Sequence, residues 1–159
     1  MIKAVCPGSF DPITKGHVDI ITRAAVIFDE VVVLISDNPE KKYTFNFDER
    51  KELADMIFHQ NSNVKIDILN GLLADYMRKN GANVVVRGLR AMSDFEYEFQ
   101  MALTNRELNP DFETIFLSSA LNNTYLSSSM VKQICSLGGD ISNFVPPQII
   151  NKIKWRYEK

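Results

Sequence analysis

Five short runs rich in β-branched residues, IKAV (2–5), VVVLIS (31–36), VKIDIL (64–69), VVV (84–86) and TIFL (114–117), recur along the chain with longer helical patterns between them. Such runs read as strands, and strands that alternate with helices form βαβ units. The alternation predicts an α/β fold: a Rossmann-like, doubly wound, five-stranded parallel sheet with helices on both faces and right-handed crossovers. In strand order 3-2-1-4-5, strands 1 and 4 are neighbours, and ligands sit beyond their carboxyl ends. Two loops then meet at one crevice: PGSFDPITKGH (7–17) after strand 1 and RGLR (87–90) after strand 4.

The first helix carries Ile20, Ile21, Ala24, Ala25 and Phe28 on one face. Capping-box spacings mark two further helix starts, Asn46 with Glu49 and Ser93 with Glu96. Pro146 and Pro147 set off a last helix over 148–157, and the absence of repeats or linkers predicts one domain over 1–159. An apolar share of 45% and a charged share of 24% are those of a soluble globular protein, and a net charge of -2 gives no reason to expect nucleic acid. Any anion site must be local. Cys6 and Cys135 match no metal-ligand spacing and read as buried thiols of a cytoplasmic protein. No apolar run approaches the length of a membrane span.

Neither GxGxxG nor GxxxxGK[ST] occurs, so the commonest phosphate loops are excluded. The stretch from Cys6 to His17 nevertheless combines two Pro, two Gly, Asp11, Ser9 and Thr14 just before a helix, where open N–H groups attract anions. His17 shares a face with Ile20 and Ile21, so it is either a core histidine or a phosphate ligand in the first helical turn. The helix dipole disfavours its imidazolium and a polyphosphate favours it. Arg87 and Arg90 bracket Gly88 and suit bidentate phosphate binding; the alternative is exposed loop cations. Lys41 and Lys42 read as solvated charges, as does His59. Glu98 lies between Phe95, Phe99 and Ala102 on one face and needs a partner, with an arginine or a ligand equally suitable. Asp94 and Glu96 read as helix N-terminal charges, and Asp11 as an orienting group. Ser127, Ser128 and Ser129 precede a helix as caps, a role compatible with triphosphate binding.

The segments PGSFDP (7–12) and TKGH (14–17) resemble those of the nucleotidylyltransferases. Together with RGLR (87–90), DFEYE (94–98) and SSSMVK (127–132), they stand in the order and spacing of the bacterial phosphopantetheine adenylyltransferase family. The resemblance spans residues 2–146. It implies transfer of AMP from ATP to 4'-phosphopantetheine, giving dephospho-coenzyme A and pyrophosphate in coenzyme A biosynthesis, with Mg2+ as cofactor and a homohexameric assembly. By the same resemblance, His17 is catalytic, and Ser9, Lys41, Leu73 and Arg87 bind the acceptor; Leu73 reads equally well as a core leucine. ATP falls to Ser9, Phe10, His17, Gly88, Leu89, Arg90, Glu98, Asn123, Thr124, Tyr125, Leu126, Ser127, Ser128 and Ser129. Lys42 stays a surface charge. Two departures stand out: Ser9 replaces the family's commoner threonine, and Asn123 occupies a position often held by an aromatic, which puts stacking on adenine in doubt. Another nucleotidylyltransferase with a different phosphorylated acceptor and a non-catalytic nucleotide-binding module remain as alternatives. RGLR with DFEYE argues against the first; His17, Lys41 and the two arginines argue against the second.

Overall fold

The computed structural model describes residues 1–90 and 92–158, and of residues 92–94 the backbone alone. The elements run β1 (Lys3–Gly8), α1 (Lys15–Ile27), β2 (Glu30–Ile35), α2 (Phe47–Phe58), β3 (Val64–Ile68), α3 (Leu73–Asn80), β4 (Val84–Leu89), α4 (Met92–Leu108), β5 (Glu113–Ser118), α5 (Ser128–Ser136) and α6 (Ile150–Tyr157). The five strands form one parallel sheet in the order β3-β2-β1-β4-β5, the topology expected from the alternation of patterns.

The period of two along the strands sorts the core into two layers. Val31, Val33 and Ile35 of β2, with Ala4, Cys6 and Val86, face α1, α2, α5 and α6. Val32 and Leu34, with Val5 and Val85, face Ala74 and Met77 of α3 and the ring of Phe112. Every residue of β2 is therefore buried, which is why its sequence is an unbroken apolar run after Glu30. Cys6 and Cys135 are unpaired and buried. Among the described residues no helix is long and apolar enough to cross a membrane.

The capping box at α2 forms as its spacing requires: Asn46 Oδ1 accepts from the Glu49 N–H at 2.9 Å, and Glu49 Oε2 accepts from the Asn46 N–H at 2.8 Å. The pair expected at Ser93 and Glu96, and the Asp94 charge, rest on side chains outside the described residues; α4 itself begins at Met92. The last helix starts later than expected, at Ile150, because Pro147 opens a 3₁₀ turn over Pro147–Ile149.

Two strands are longer than their apolar runs. Pro7 and Gly8 continue β1 by pairing with Leu34 and Ile35, and Arg87, Gly88 and Leu89 continue β4 by pairing with Phe116, Leu117 and Ser118. Pro and Gly read as turn signals in isolation, yet one paired neighbour suffices to hold each extension. The other side of each is open, because β1 and β4 pair only at Ala4 with Val84 and Val5 with Val85 and then part. The missing N–H of Pro7 costs no ladder bond on that side. The parting of these two strands makes the crevice.

Candidate active site

A cavity of about 750 Å³ fills the gap between the diverging ends of β1 and β4. Its floor is the loop after β1, a segment held in an uncommon shape. Phe10 has φ 47°, a left-handed conformation rare outside glycine, and its ring is buried. A Cβ on Gly8 would come within 2.9 Å of that ring, so the loop needs glycine there. Asp11 bolts the loop to two other segments: it accepts N–H bonds from Thr44 and Phe45, both at 2.9 Å, and an ion pair from Lys132 of α5 at 3.0 Å. Asp11 thus orients the loop, as its position in the sequence indicated.

Thr14 and His17 form the capping box of α1, with histidine in the place usually taken by glutamate or glutamine. The Thr14 N–H donates to His17 Nδ1 at 3.0 Å. A backbone N–H can only donate, so Nδ1 is unprotonated and the neutral ring carries its proton on Nε2. The edge of the ring meets Phe10, with centroids 5.1 Å apart and planes at 79°. Burial, and after it the positive charges of Arg90, Arg87 and Lys41, pushes the imidazole down from 6.5 to about 4. The protonation left open by the sequence is thereby decided for the unliganded protein: His17 is a neutral Nε2–H donor in a cationic cavity.

This has a measurable consequence for stability. The unfolded chain takes up a proton on this residue near pH 6.5 and the folded protein only near 4, so between those values the unfolded state binds more protons. The contribution is complete above about 6.5 and is lost as pH falls toward 4. Melting curves from pH 7 to 4 should show a fall in the parent that is smaller in His17→Gln, which keeps a capping partner without a titrating group. Equal falls in the two proteins would contradict the assignment.

Cations from three segments line the cavity: Lys41 and Lys42 after β2, Arg87 and Arg90 at the end of β4, and Lys132 of α5. Arg87 does not stand free. Its Nε and Nη2 donate to Glu98 Oε2 and Oε1 at 2.7 and 2.5 Å, and its Nη1 donates to the Pro7 carbonyl across the crevice. Burial works against the Arg87 charge, and the Glu98 carboxylate more than restores it, raising its pKa. Glu98 therefore has the arginine partner its place on an apolar helix face required. Arg90 Nη1 donates to the Leu126 carbonyl at 2.7 Å, which ties β4 to the segment before α5. At the start of α5, Ser127 Oγ accepts from the Met130 N–H at 3.1 Å, and Ser128 Oγ donates to the Pro12 carbonyl at 2.7 Å. Two of the three serines are thus structural ties as well as cavity residues. A Cβ on Gly88 would lie 2.9 Å from Ile20 Cγ1, so glycine lets β4 approach α1.

Of the residues singled out from the sequence, Ser9, Phe10, His17, Lys41, Arg87, Gly88, Arg90, Glu98, Leu126, Ser127, Ser128 and Ser129 line the cavity. Leu73, Leu89, Asn123, Thr124 and Tyr125 do not; Leu73 packs instead on the core layer beside α3. Lys42, expected to be a surface charge only, is a lining residue, as are Asn38, Tyr43, Tyr97 and Lys132. Lys132 had a signal, since it lies one helical turn beyond Ser129. Lys42 had none beyond adjacency to Lys41. Among the described residues no group of three His, Cys, Asp or Glu is arranged to hold a metal ion.

The sequence model of the cytidylyltransferase-like family matches residues 5–134. A phosphopantetheine adenylyltransferase of Heliobacterium modesticaldum is 52% identical over 99% of this chain and 94% of its own length. One from Dictyoglomus thermophilum is 54% identical, covering 100% of this chain and 95% of its own. Among solved structures, a putative nicotinate-nucleotide adenylyltransferase from Vibrio parahaemolyticus superposes with a TM-score of 0.70 at 20% identity, covering 98% of this chain and 96% of that one. At that identity the likeness speaks for the fold alone.

Proposed function

The chain belongs to the cytidylyltransferase-like family and, within it, to the phosphopantetheine adenylyltransferases, and from that premise we propose the following reading of its cavity. The enzyme transfers AMP from ATP to 4'-phosphopantetheine, giving dephospho-coenzyme A and pyrophosphate. The observation that carries this reading is a cavity between parted parallel strands in which cations outnumber carboxylates and each lining carboxylate is already paired, Glu98 with Arg87 and Asp11 with Lys132.

Such a cavity suits the joining of two anions. An oxygen of the acceptor phosphate forms a bond to the α-phosphorus of ATP, and the bond from that phosphorus to the bridging oxygen breaks, so that its electron pair leaves with pyrophosphate. The acceptor phosphate has a second pKa of about 6 and is largely dianionic at neutral pH, so no general base is needed. Repulsion and charge on the leaving group are the obstacles, and positioning with fixed donors meets both. We assign Ser9, Lys41 and Arg87 to the acceptor phosphate. His17 Nε2–H and Arg90 serve the phosphates of ATP, with the N–H groups that open α5 at Ser128 and Ser129. Gly88 borders the nucleotide; Leu89, outside the cavity lining, is given no contact with it.

Mg2+ enters as part of the nucleotide substrate, where its charge would offset that of the phosphates. The band of exposed apolar side chains on α4 and the edge strand β5, including Phe99, Leu103, Leu108 and Ile115, is suited to self-association, and we assign it to the homohexamer. The unpaired buried thiols fit a reducing compartment, the cytoplasm.

Pyrophosphate release should appear with ATP, Mg2+ and 4'-phosphopantetheine, and not with nicotinamide mononucleotide or glycerol phosphate as acceptor. Exhaustive chelation should abolish it and added Mg2+ restore it. Release with a different acceptor alone would replace the assigned substrate, and no release with any acceptor would favour a binding module.

A further inference from the structure

Among the described residues Arg50 is the bulkiest fully buried side chain, 1% exposed, and the reaction described above makes no use of it. Its guanidinium joins four residues of three segments. Nη1 donates to the carbonyls of Ser9 at 2.9 Å and Ser36 at 3.3 Å, Nη2 pairs with Asp37 Oδ1 at 2.5 Å, and Nε donates to the Asn46 carbonyl at 3.3 Å. Its carbon lies over two rings, 4.4 Å from the centroid of Tyr43 and 4.7 Å from that of Phe47. Tyr43 in turn bonds through its hydroxyl to the backbone of Asn38, accepting from the N–H and donating to the carbonyl. Asn38 closes the turn that carries Lys41: its carbonyl accepts from the Lys41 N–H at 2.9 Å and its Oδ1 from the Glu40 N–H at 3.0 Å.

A cation buried this deeply is costly unless its contacts are needed. Its contacts join the backbone of Ser9 on the floor of the cavity to the turn that presents Lys41 on the wall. Neither segment belongs to a helix or strand; the Ser36 N–H bond to the Gly8 carbonyl and the Asp11 bonds to Thr44 and Phe45 tie their two ends, and Arg50 is the side chain that joins Ser9 to Asp37 and lies over Tyr43, within the stretch that carries Lys41. We propose that Arg50 is the positioning residue that holds the Lys41 turn in register with the Ser9 loop, and so sets the site of the acceptor phosphate. The proposal rests on the reading of the cavity as an adenylyltransferase site.

Arg50→Lys keeps the charge and the aliphatic stem but has three N–H donors for four acceptors, three carbonyls and a carboxylate, and no planar group to lie over the two rings. It should raise KM for 4'-phosphopantetheine by about tenfold or more and leave KM for ATP within about threefold. On a Lys41→Ala background the same change should alter the acceptor KM less than about twofold, since its effect acts through that lysine. Backbone amide exchange over residues 37–43, measured on the free protein, should accelerate. A purely structural arginine predicts a lower melting temperature and less active protein with both KM values unchanged, and that result overturns the proposal. Should Arg50→Lys fail to fold, Tyr43→Phe removes the link at the surface end and should shift the acceptor KM in the same direction. Faster exchange over 37–43 in Arg50→Lys, with a parent that turns over no acceptor, would sustain the positioning role and overturn the adenylyltransferase reading instead.

Discussion

Replacing His17 by Ala should lower kcat by roughly 10² to 10³ or more while KM for ATP changes far less, the pattern for loss of a preorganised donor to a developing oxyanion. The geometry explains why the effect falls on kcat. The Thr14 N–H fixes Nδ1 as acceptor, the edge of Phe10 fixes the ring, and burial, followed by the nearby cations, keeps it neutral, so one Nε2–H is held ready without reorganisation. Charge grows on the α-phosphate oxygens as phosphorus becomes five-coordinate, and the donor bonds more strongly then than in ground-state ATP. A second outcome separates this from capping alone. His17→Ala also loses half of the α1 capping box, which costs about 0.5–2 kcal/mol. His17→Gln should restore that stability, because glutamine serves at this position of a capping box, yet leave kcat at least about tenfold below the parent. Steady-state kinetics and melting curves on the same preparations decide it: kcat of His17→Ala within threefold of the parent would sink the catalytic role.

The second large effect is expected at Arg87, where binding and stability are entangled. Arg87→Ala strands the mostly buried Glu98 carboxylate and removes the donor to the Pro7 carbonyl that spans the crevice. Breaking such a pair costs toward the low end of roughly 3–5 kcal/mol, since both groups keep some exposure to water. Acceptor binding should weaken by a further 1.5 to about 3 kcal/mol, the worth of a charge-assisted bond, with ATP binding much less affected. The double variant Arg87→Ala/Glu98→Ala distinguishes the two losses. It should regain most of the stability, because no charge is left unpaired, and none of the acceptor affinity. Calorimetry that shows both restored would make Arg87 a counter-ion for Glu98 and nothing more.

Periodicity and local spacing are properties of neighbouring residues, and everything that depends on them alone was legible in the sequence. The β-branched runs specified a parallel sheet, and the parallel sheet specified its switch point between strands 1 and 4. The Asn46 and Glu49 spacing specified the start of α2, and the apolar stripe from Ile20 placed His17 in the first turn of α1. The loops that bound the cavity were identified for the same reason. What the tertiary structure alone decided are relations between residues far apart in the chain. Arg87 meets Glu98 and the Pro7 carbonyl because β4 extends past its apolar run and leaves its partner β1. Lys132 reaches Asp11 because α5 packs against the loop after β1. Lys42 lines the cavity, and Leu73 does not, because loop path and helix rotation are set by packing. His17 is neutral because the fold buries its ring, brings Arg90, Arg87 and Lys41 near it from two segments, and engages its Nδ1. Arg50 had no sequence signal at all, since an arginine in a helix reads as exposed until the segments that bury it are brought together. Each of these contacts is set by sheet register and by which groups are removed from water, quantities that exist only once the chain has closed on itself.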